Sequence, residues 1–116
     1  MENALDLAHS VVDTLDEKKG ENILLLDLIG ICSFTDYFVI CSGTSERMLR
    51  ALSDEVQVSL KKNHSIQAQS VEGKEGVGWT LIDYGDLVVH IFSPAMREYY
   101  ALEDLWEEGR VLLHMQ

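Results

Sequence analysis

The sequence predicts one domain with a mixed β-sheet and packed helices, an α/β or α+β fold with the element order α-β-β-α-β-β-β-α. The chain has 116 residues, 47% of them hydrophobic and 25% charged, which is enough for one buried core. It has a single proline and eight scattered glycines, so no linker divides residues 1–116. Helical apolar spacing alternates along the chain with short β-branched runs, which indicates helices packed on a sheet.

The first half is predicted to contain two helices and two strands. Apolar residues at helical spacing predict an amphipathic helix over 2–18, with lysines in its last turn and Gly20 at the C′ position. An aliphatic run predicts a buried strand at 22–28, and an aromatic and β-branched run predicts another at 36–41. Thr44 or Ser45 then caps a helix that ends near 61–63.

Three further strands are predicted after that helix. Residues 65–71 form a weak, polar strand that is expected at a sheet edge. Strand 79–82 leads into a tight hairpin at 83–86, at whose tip the ring of Tyr84 is expected to be exposed. The apolar strand 87–92 returns from the hairpin, and its length predicts a central place in the sheet.

The C-terminal part is predicted to be helical and short. Ser93 is an N-cap and Pro94 occupies the first helical position, so a helix is predicted over 94–100. A further short turn is predicted over 102–106, and the residues after Gly109 are predicted to be a short tail.

The charge of the chain restricts its partners. Nine Lys and Arg residues against twenty Asp and Glu residues give −11, and no basic face is visible for nucleic acid or for an anionic membrane surface. A macromolecular partner is therefore predicted to be basic.

The N-terminus does not resemble a secretory signal, the longest apolar stretch is too short to span a bilayer, and Cys32 and Cys41 are interpreted as reduced thiols. We expect a cytoplasmic protein.

No constellation of residues predicts catalysis. The loop Gly43-Thr44-Ser45 lacks the lysine of a phosphate-binding loop, and no Asp-x-Asp metal pair follows it, so a helix cap is favoured there. The four histidines have no metal-ligand spacing, and His90 is interpreted as a hydrogen-bonded structural residue of an apolar strand. We therefore predict a protein that is not an enzyme and uses no metal or cofactor.

The last third of the chain contains five tryptophan and tyrosine residues, more than half of the nine aromatic residues, interleaved with charged side chains. Trp and Tyr beside Arg with a polar rim is the composition of interface hot spots. The same composition is typical of half-buried core residues beside a solvated acidic face, and both interpretations stay open at this point. The five residues are Trp79, Tyr84, Tyr99, Tyr100 and Trp106.

Several motifs occur together in one order between residues 4 and 106. They are Asp36-Tyr37-Phe38-Val39-Ile40, Ser42-Gly43-Thr44-Ser45, Val71-Glu72-Gly73, Trp79 to Asp86, Val89-His90-Ile91-Phe92, Arg97-Glu98-Tyr99-Tyr100 and Leu102-Glu103 with Leu105-Trp106. In these motifs the chain resembles the ribosomal silencing factor (Iojap-like) family. The resemblance implies a mixed α/β fold related to nucleotidyltransferases but without their catalytic carboxylates.

The resemblance also implies a function. Members of the family bind a protein of the large ribosomal subunit at the intersubunit face, block association with the small subunit and repress translation when nutrients are limited. The implied partner is large-subunit ribosomal protein fourteen. Two alternatives stay open: a nucleotide-binding or nucleotidyltransferase-like enzyme on the same fold, and a structural homodimer module. The implied partner-binding residues are Trp79, Ile82, Asp83, Tyr84, Asp86, Arg97, Tyr99 and Tyr100.

Overall fold

A computed structural model describes residues 3–73 and 76–115, and in them four helices and six strands form. The helices are α1 (Ala4–Glu17), α2 (Glu46–His64), α3 (Pro94–Tyr100) and α4 (Leu102–Leu105). The strands are β1 (Glu21–Asp27), β2 (Tyr37–Ser42), β3 (Ser70–Glu72), β4 (Trp79–Asp83), β5 (Leu87–Phe92) and β6 (Arg110–Met115). The predicted α+β class is confirmed, whereas the predicted helix start at residue 2 lies outside the described residues.

The strands form one mixed sheet in the order β3-β4-β5-β2-β1-β6. β2 and β5 are parallel, and every other neighbouring pair is antiparallel. All six residues of β2 and of β5 are buried, because these strands lie in the middle of the sheet with both faces covered. The predicted central position of the strand at 87–92 is thus confirmed.

The segment after Gly109 is a strand, so the predicted tail is wrong. β6 pairs antiparallel with β1 at one edge of the sheet, and Arg110 Nη2 donates to Asp27 Oδ2 at 2.5 Å. Only Leu113 and Met115 of β6 pack against the buried core, and most of the strand is exposed. Val111, Leu112 and Leu113 form a short apolar run, and as a strand this run pairs its backbone with β1.

The edge strand β3 is shorter than predicted. α2 continues to His64, and Ser65 ends it in the left-handed conformation with φ 58°. Regular pairing with β4 begins only at Ser70 instead of residue 65. The predicted edge position is confirmed, since β3 is the outermost strand on that side.

The end of α1 also differs from the prediction. The helix stops at Glu17 with no basic residue in its last turn, and Lys19 rather than Gly20 takes the left-handed conformation, with φ 67°. Glycine is required at position 20 for a steric reason instead, because a Cβ there would lie 2.5 Å from Cys41 Sγ. Burial raises the pKa of that Cys41 thiol to about 12.

The two faces of the sheet carry separate apolar cores. Side chains alternate between the faces along each strand, so neighbouring residues of β5 belong to different cores. The inner face packs against α1 and α2 and forms the larger core, which includes Val89 and Ile91. The outer face forms a smaller core beneath α3 and α4, which includes Val88 and Phe92. No helix within the described ranges has the length and apolar character needed to cross a membrane.

Candidate functional site

Three of the eight predicted site residues point into the protein, and two of these, Ile82 and Arg97, are buried. Ile82 faces the larger core and is completely buried, because the alternation of β4 directs Trp79, Leu81 and Asp83 to the outer face instead. Arg97 is 6% exposed although it carries a charge. Neither side chain is placed to contact a partner directly.

Arg97 connects three parts of the fold. Its Nε donates to Glu103 Oε1 of α4 at 3.3 Å, and its Nη1 donates to Ser42 Oγ at the end of β2 at 3.0 Å. The same Nη1 also donates to the carbonyl oxygen of Asn22 in β1. A buried guanidinium with these acceptors holds α3 and α4 against the sheet, so its role is positional.

The predicted exposure of Tyr84 is wrong. Asp83 Oδ1 accepts a hydrogen bond from the Gly85 amide at 2.7 Å, and Gly85 has φ 90°, so the hairpin turns within these residues. The Tyr84 ring packs against the larger core. Its hydroxyl is buried without a hydrogen-bond partner among the described residues, and burial raises its pKa to about 12. Asp86 remains exposed beside this turn.

Trp79 is held in one pose on the outer face. Its Nε1–H donates to His90 Nδ1 at 3.2 Å, and its ring stacks on Phe92 with the ring centroids 5.4 Å apart. Burial lowers the pKa of His90 to about 3, so the imidazole is neutral at pH 7 and carries its proton on Nε2. His90 is therefore the hydrogen-bonded structural histidine that the sequence predicted.

Tyr100 and Tyr99 extend this aromatic surface onto α3. The Tyr100 ring centroid lies 4.6 Å from that of Trp79, and the Tyr99 ring packs edge-on against Tyr100 at 5.1 Å. Both tyrosines are exposed. The structure thus brings Trp79, Tyr99 and Tyr100 together at one end of the outer face.

An apolar groove of about 340 Å³ opens beside Trp79, between β4 and α4, and we call it the β4–α4 groove. One wall belongs to the strands and the other to α4 and to the loop that carries Phe34. Among the described residues, its lining contains two acidic residues and no lysine or arginine. The lining residues are Phe34, Phe38, Glu72, Trp79, Leu81, Asp83, Val88, His90, Leu102, Leu105 and Trp106.

The lining of the groove combines exposed apolar side chains with the acidic side chains of Glu72 and Asp83. Phe34 is 62% exposed and Leu105 is 69% exposed, although both are large apolar residues. Such a surface suits apolar side chains together with lysine or arginine.

Sequence reasoning missed Phe34, Leu81 and Leu105 as site residues. Phe34 lies in a loop, and at the groove its ring packs 6.1 Å from that of Trp106 and 6.2 Å from that of Phe38. Leu81 and Leu105 are ordinary apolar residues of a strand and a helix. The sequence signal that could have identified Leu81 is its position two residues after Trp79 on the same strand, because alternate residues of a strand face the same side.

A second cavity of about 420 Å³ lies beside Arg97, and four of its nine described lining residues are acidic. Its one guanidinium already has three acceptors within the fold. Across the described residues, no group of three or more His, Cys, Asp and Glu side chains is placed to hold a metal ion. The β4–α4 groove is therefore the better candidate for a functional site.

Comparison with known proteins agrees with the motifs. The family model described as "Ribosomal silencing factor during starvation" matches residues 1–115. The ribosomal silencing factor RsfS of Bacillus subtilis (strain 168) is 43% identical over 94 residues, which are 81% of this chain and 79% of the relative. The RsfS of Halalkalibacterium halodurans is 39% identical over 104 residues, which are 90% of this chain and 88% of the relative.

The fold is shared as well. A crystal structure of a protein from Chromobacterium violaceum matches with a TM-score of 0.86 and 34% identity, covering 91% of this chain and 88% of that one. Fold and coverage together define an α+β domain that is common to these proteins. The chain belongs to the ribosomal silencing factor family, as its motifs predicted.

Proposed function

We propose that this protein is a cytoplasmic translational repressor that binds the large ribosomal subunit. Its contact is large-subunit ribosomal protein fourteen, at the intersubunit face. Once bound, it occupies the space that the small subunit needs, so association is blocked and translation falls when nutrients are limited. The mechanism is steric and uses no catalytic step, metal or cofactor.

The apolar groove with two acidic side chains in its lining is the observation that supports this proposal most. Ribosomal RNA presents phosphate over most of the subunit, and a chain with a charge of −11 is repelled by it. Acidic side chains attract a basic ribosomal protein, and the exposed apolar residues beside them supply the contact area. Charge thus selects the partner, and the apolar contact holds it.

The contact surface proposed here contains only side chains that face outward. Trp79, Asp83, Asp86, Tyr99 and Tyr100 contact the partner directly. The other three residues implied by the resemblance support this surface from within: Ile82 and Tyr84 pack in the larger core, and Arg97 holds α3 and α4.

Sedimentation with separated ribosomal subunits tests the proposal. The protein is expected to sediment with large subunits and not with small ones, and to lower the fraction of joined ribosomes as its concentration rises. A large subunit depleted of protein fourteen is the matched control, and it should not bind. Equal binding to both subunits, or an unchanged joined fraction at saturation, would contradict the proposal.

A further inference from the structure

We propose that the β4–α4 groove receives an apolar side chain from a protein segment that also carries lysine or arginine, which faces Glu72 and Asp83. This inference rests on the proposed function and names the chemistry of the partner segment. It assigns direct contact to Phe34, Leu81, Leu105 and Trp106, in addition to the aromatic surface of Trp79 and α3.

The apolar character of the side chain that enters the groove is inferred from the exposure of the groove walls. Phe34 and Leu105 are mostly exposed, and Trp79, Leu81 and Trp106 are half-buried. Covering apolar surface releases about 25 cal/mol for each Å² removed from water, so an apolar anchor binds here more favourably than a polar one. The volume of about 340 Å³ corresponds to roughly ten water molecules, which leaves room for a large side chain.

The charge of the partner segment follows from the acidic side chains of the groove. Glu72 and Asp83 both stand on its strand side. Among the described residues that line the groove, none is a lysine or an arginine. A basic segment is attracted to these two carboxylates, whereas RNA or a second copy of this acidic chain meets like charge.

Both walls are held in place from beneath. The strand wall is held by the hydrogen bond from Trp79 to His90. The helix wall is held by the bond from Arg97 to Glu103 and by the edge-on contact of Trp106 with Phe38, whose centroids are 6.1 Å apart. A preformed groove loses little side-chain freedom on binding, which favours affinity.

A pair of matched lysine substitutions tests both parts of the inference. Leu105→Lys places a cation on the groove rim, and Val58→Lys places the same cation at a 60% exposed apolar position of α2, across the sheet. Affinity for purified large subunits is measured for both variants and the wild type. Leu105→Lys is expected to weaken binding by about tenfold or more, and Val58→Lys is expected to leave it within about twofold.

The sign of the effect separates the candidate occupants. If RNA occupied the groove, the added lysine would strengthen binding, and that outcome would overturn the inference. Glu72→Lys, with Asp54→Lys on α2 as its control, provides a second pair that leaves the apolar walls intact. The loss of affinity caused by Glu72→Lys should become smaller as the salt concentration rises.

The inference fails separately from the proposed function. If the wild type does not bind large subunits, the proposed function is wrong. If the wild type binds and both groove variants bind equally well, only the groove assignment is overturned. A wild type that sediments as a stable dimer, which Leu105→Lys converts to monomer, would show that a second copy occupies the groove and would also overturn the inference.

Discussion

Trp79 Nε1–H donates to His90 Nδ1 at 3.2 Å, and this bond connects a ring on the wall of the β4–α4 groove to a buried residue of the central strand β5. The bond requires an unprotonated Nδ1, so the pose of Trp79 depends on a neutral His90. Burial supplies that condition, because it lowers the pKa of His90 from 6.5 to about 3.

The depressed pKa predicts a pH dependence of folding. The unfolded chain binds a proton on His90 below about pH 6.5, while the folded chain does not bind it until about pH 3, so stability falls as the pH is lowered through that window. His90→Phe should remove this part of the loss between about pH 7 and pH 4. Urea unfolding at several pH values measures how the free energy of unfolding depends on pH. His9→Gln, at an exposed histidine of α1, should keep the wild-type profile, and an unchanged profile in His90→Phe would refute the prediction.

Arg97 is predicted to act on stability rather than on partner contact. Arg97→Met leaves the Glu103 carboxylate and Ser42 Oγ without their donor, so the free energy of unfolding should fall by about 2–4 kcal/mol. Arg47→Met, at an exposed arginine of α2, is the control and should change it by less than about 0.5 kcal/mol. A normal denaturation midpoint for Arg97→Met would show that its bonds are dispensable.

The central strand should be the most sensitive to truncation. Val89 and Ile91 are completely buried between the sheet and the helices of the inner face. Val89→Ala and Ile91→Ala should each lower the free energy of unfolding by about 1–4 kcal/mol through lost burial and a cavity. Val58→Ala removes the same atoms as Val89→Ala at an exposed site and should be close to neutral. Midpoints that do not differ between the three variants would mean that β5 is misplaced.

Tyr84 offers a test of the buried hydroxyl. Tyr84→Phe removes an oxygen without a partner among the described residues and keeps the packed ring, so stability should stay equal or rise by up to about 1 kcal/mol. Tyr84→Ala also removes the ring from the larger core and should cost about 2 kcal/mol or more. Thermal unfolding of the two variants decides the point. A stable Tyr84→Ala would restore the view that this ring is free at the hairpin tip.

Local chemistry made most elements predictable. The Ser45 and Ser93 side chains accept hydrogen bonds from the amides of Met48 and Met96, as caps of the helices that the sequence predicted. The length of the strand at 87–92 predicted its central place. Such features depend on residues that are close together in the sequence, so they can be recognised without knowing the tertiary structure.

The strand β6 and the groove depended on distant parts of the chain. β6 forms because its backbone pairs with β1, more than eighty positions earlier, and its short apolar run does not by itself show which strand it pairs with. The ring contact between Phe34 and Trp106 likewise joins a loop to the end of α4.

The sequence by itself determined the fold class, the helix caps, the central strand, the acidic charge and the family. Only the tertiary structure decided which predicted site residues face a partner. Ile82 turned inward through strand parity, Tyr84 through the turn that Asp83 and Gly85 form, and Arg97 through acceptors on three separate elements. Burial is a property of what packs over a residue, and that is set by contacts between segments far apart in the chain.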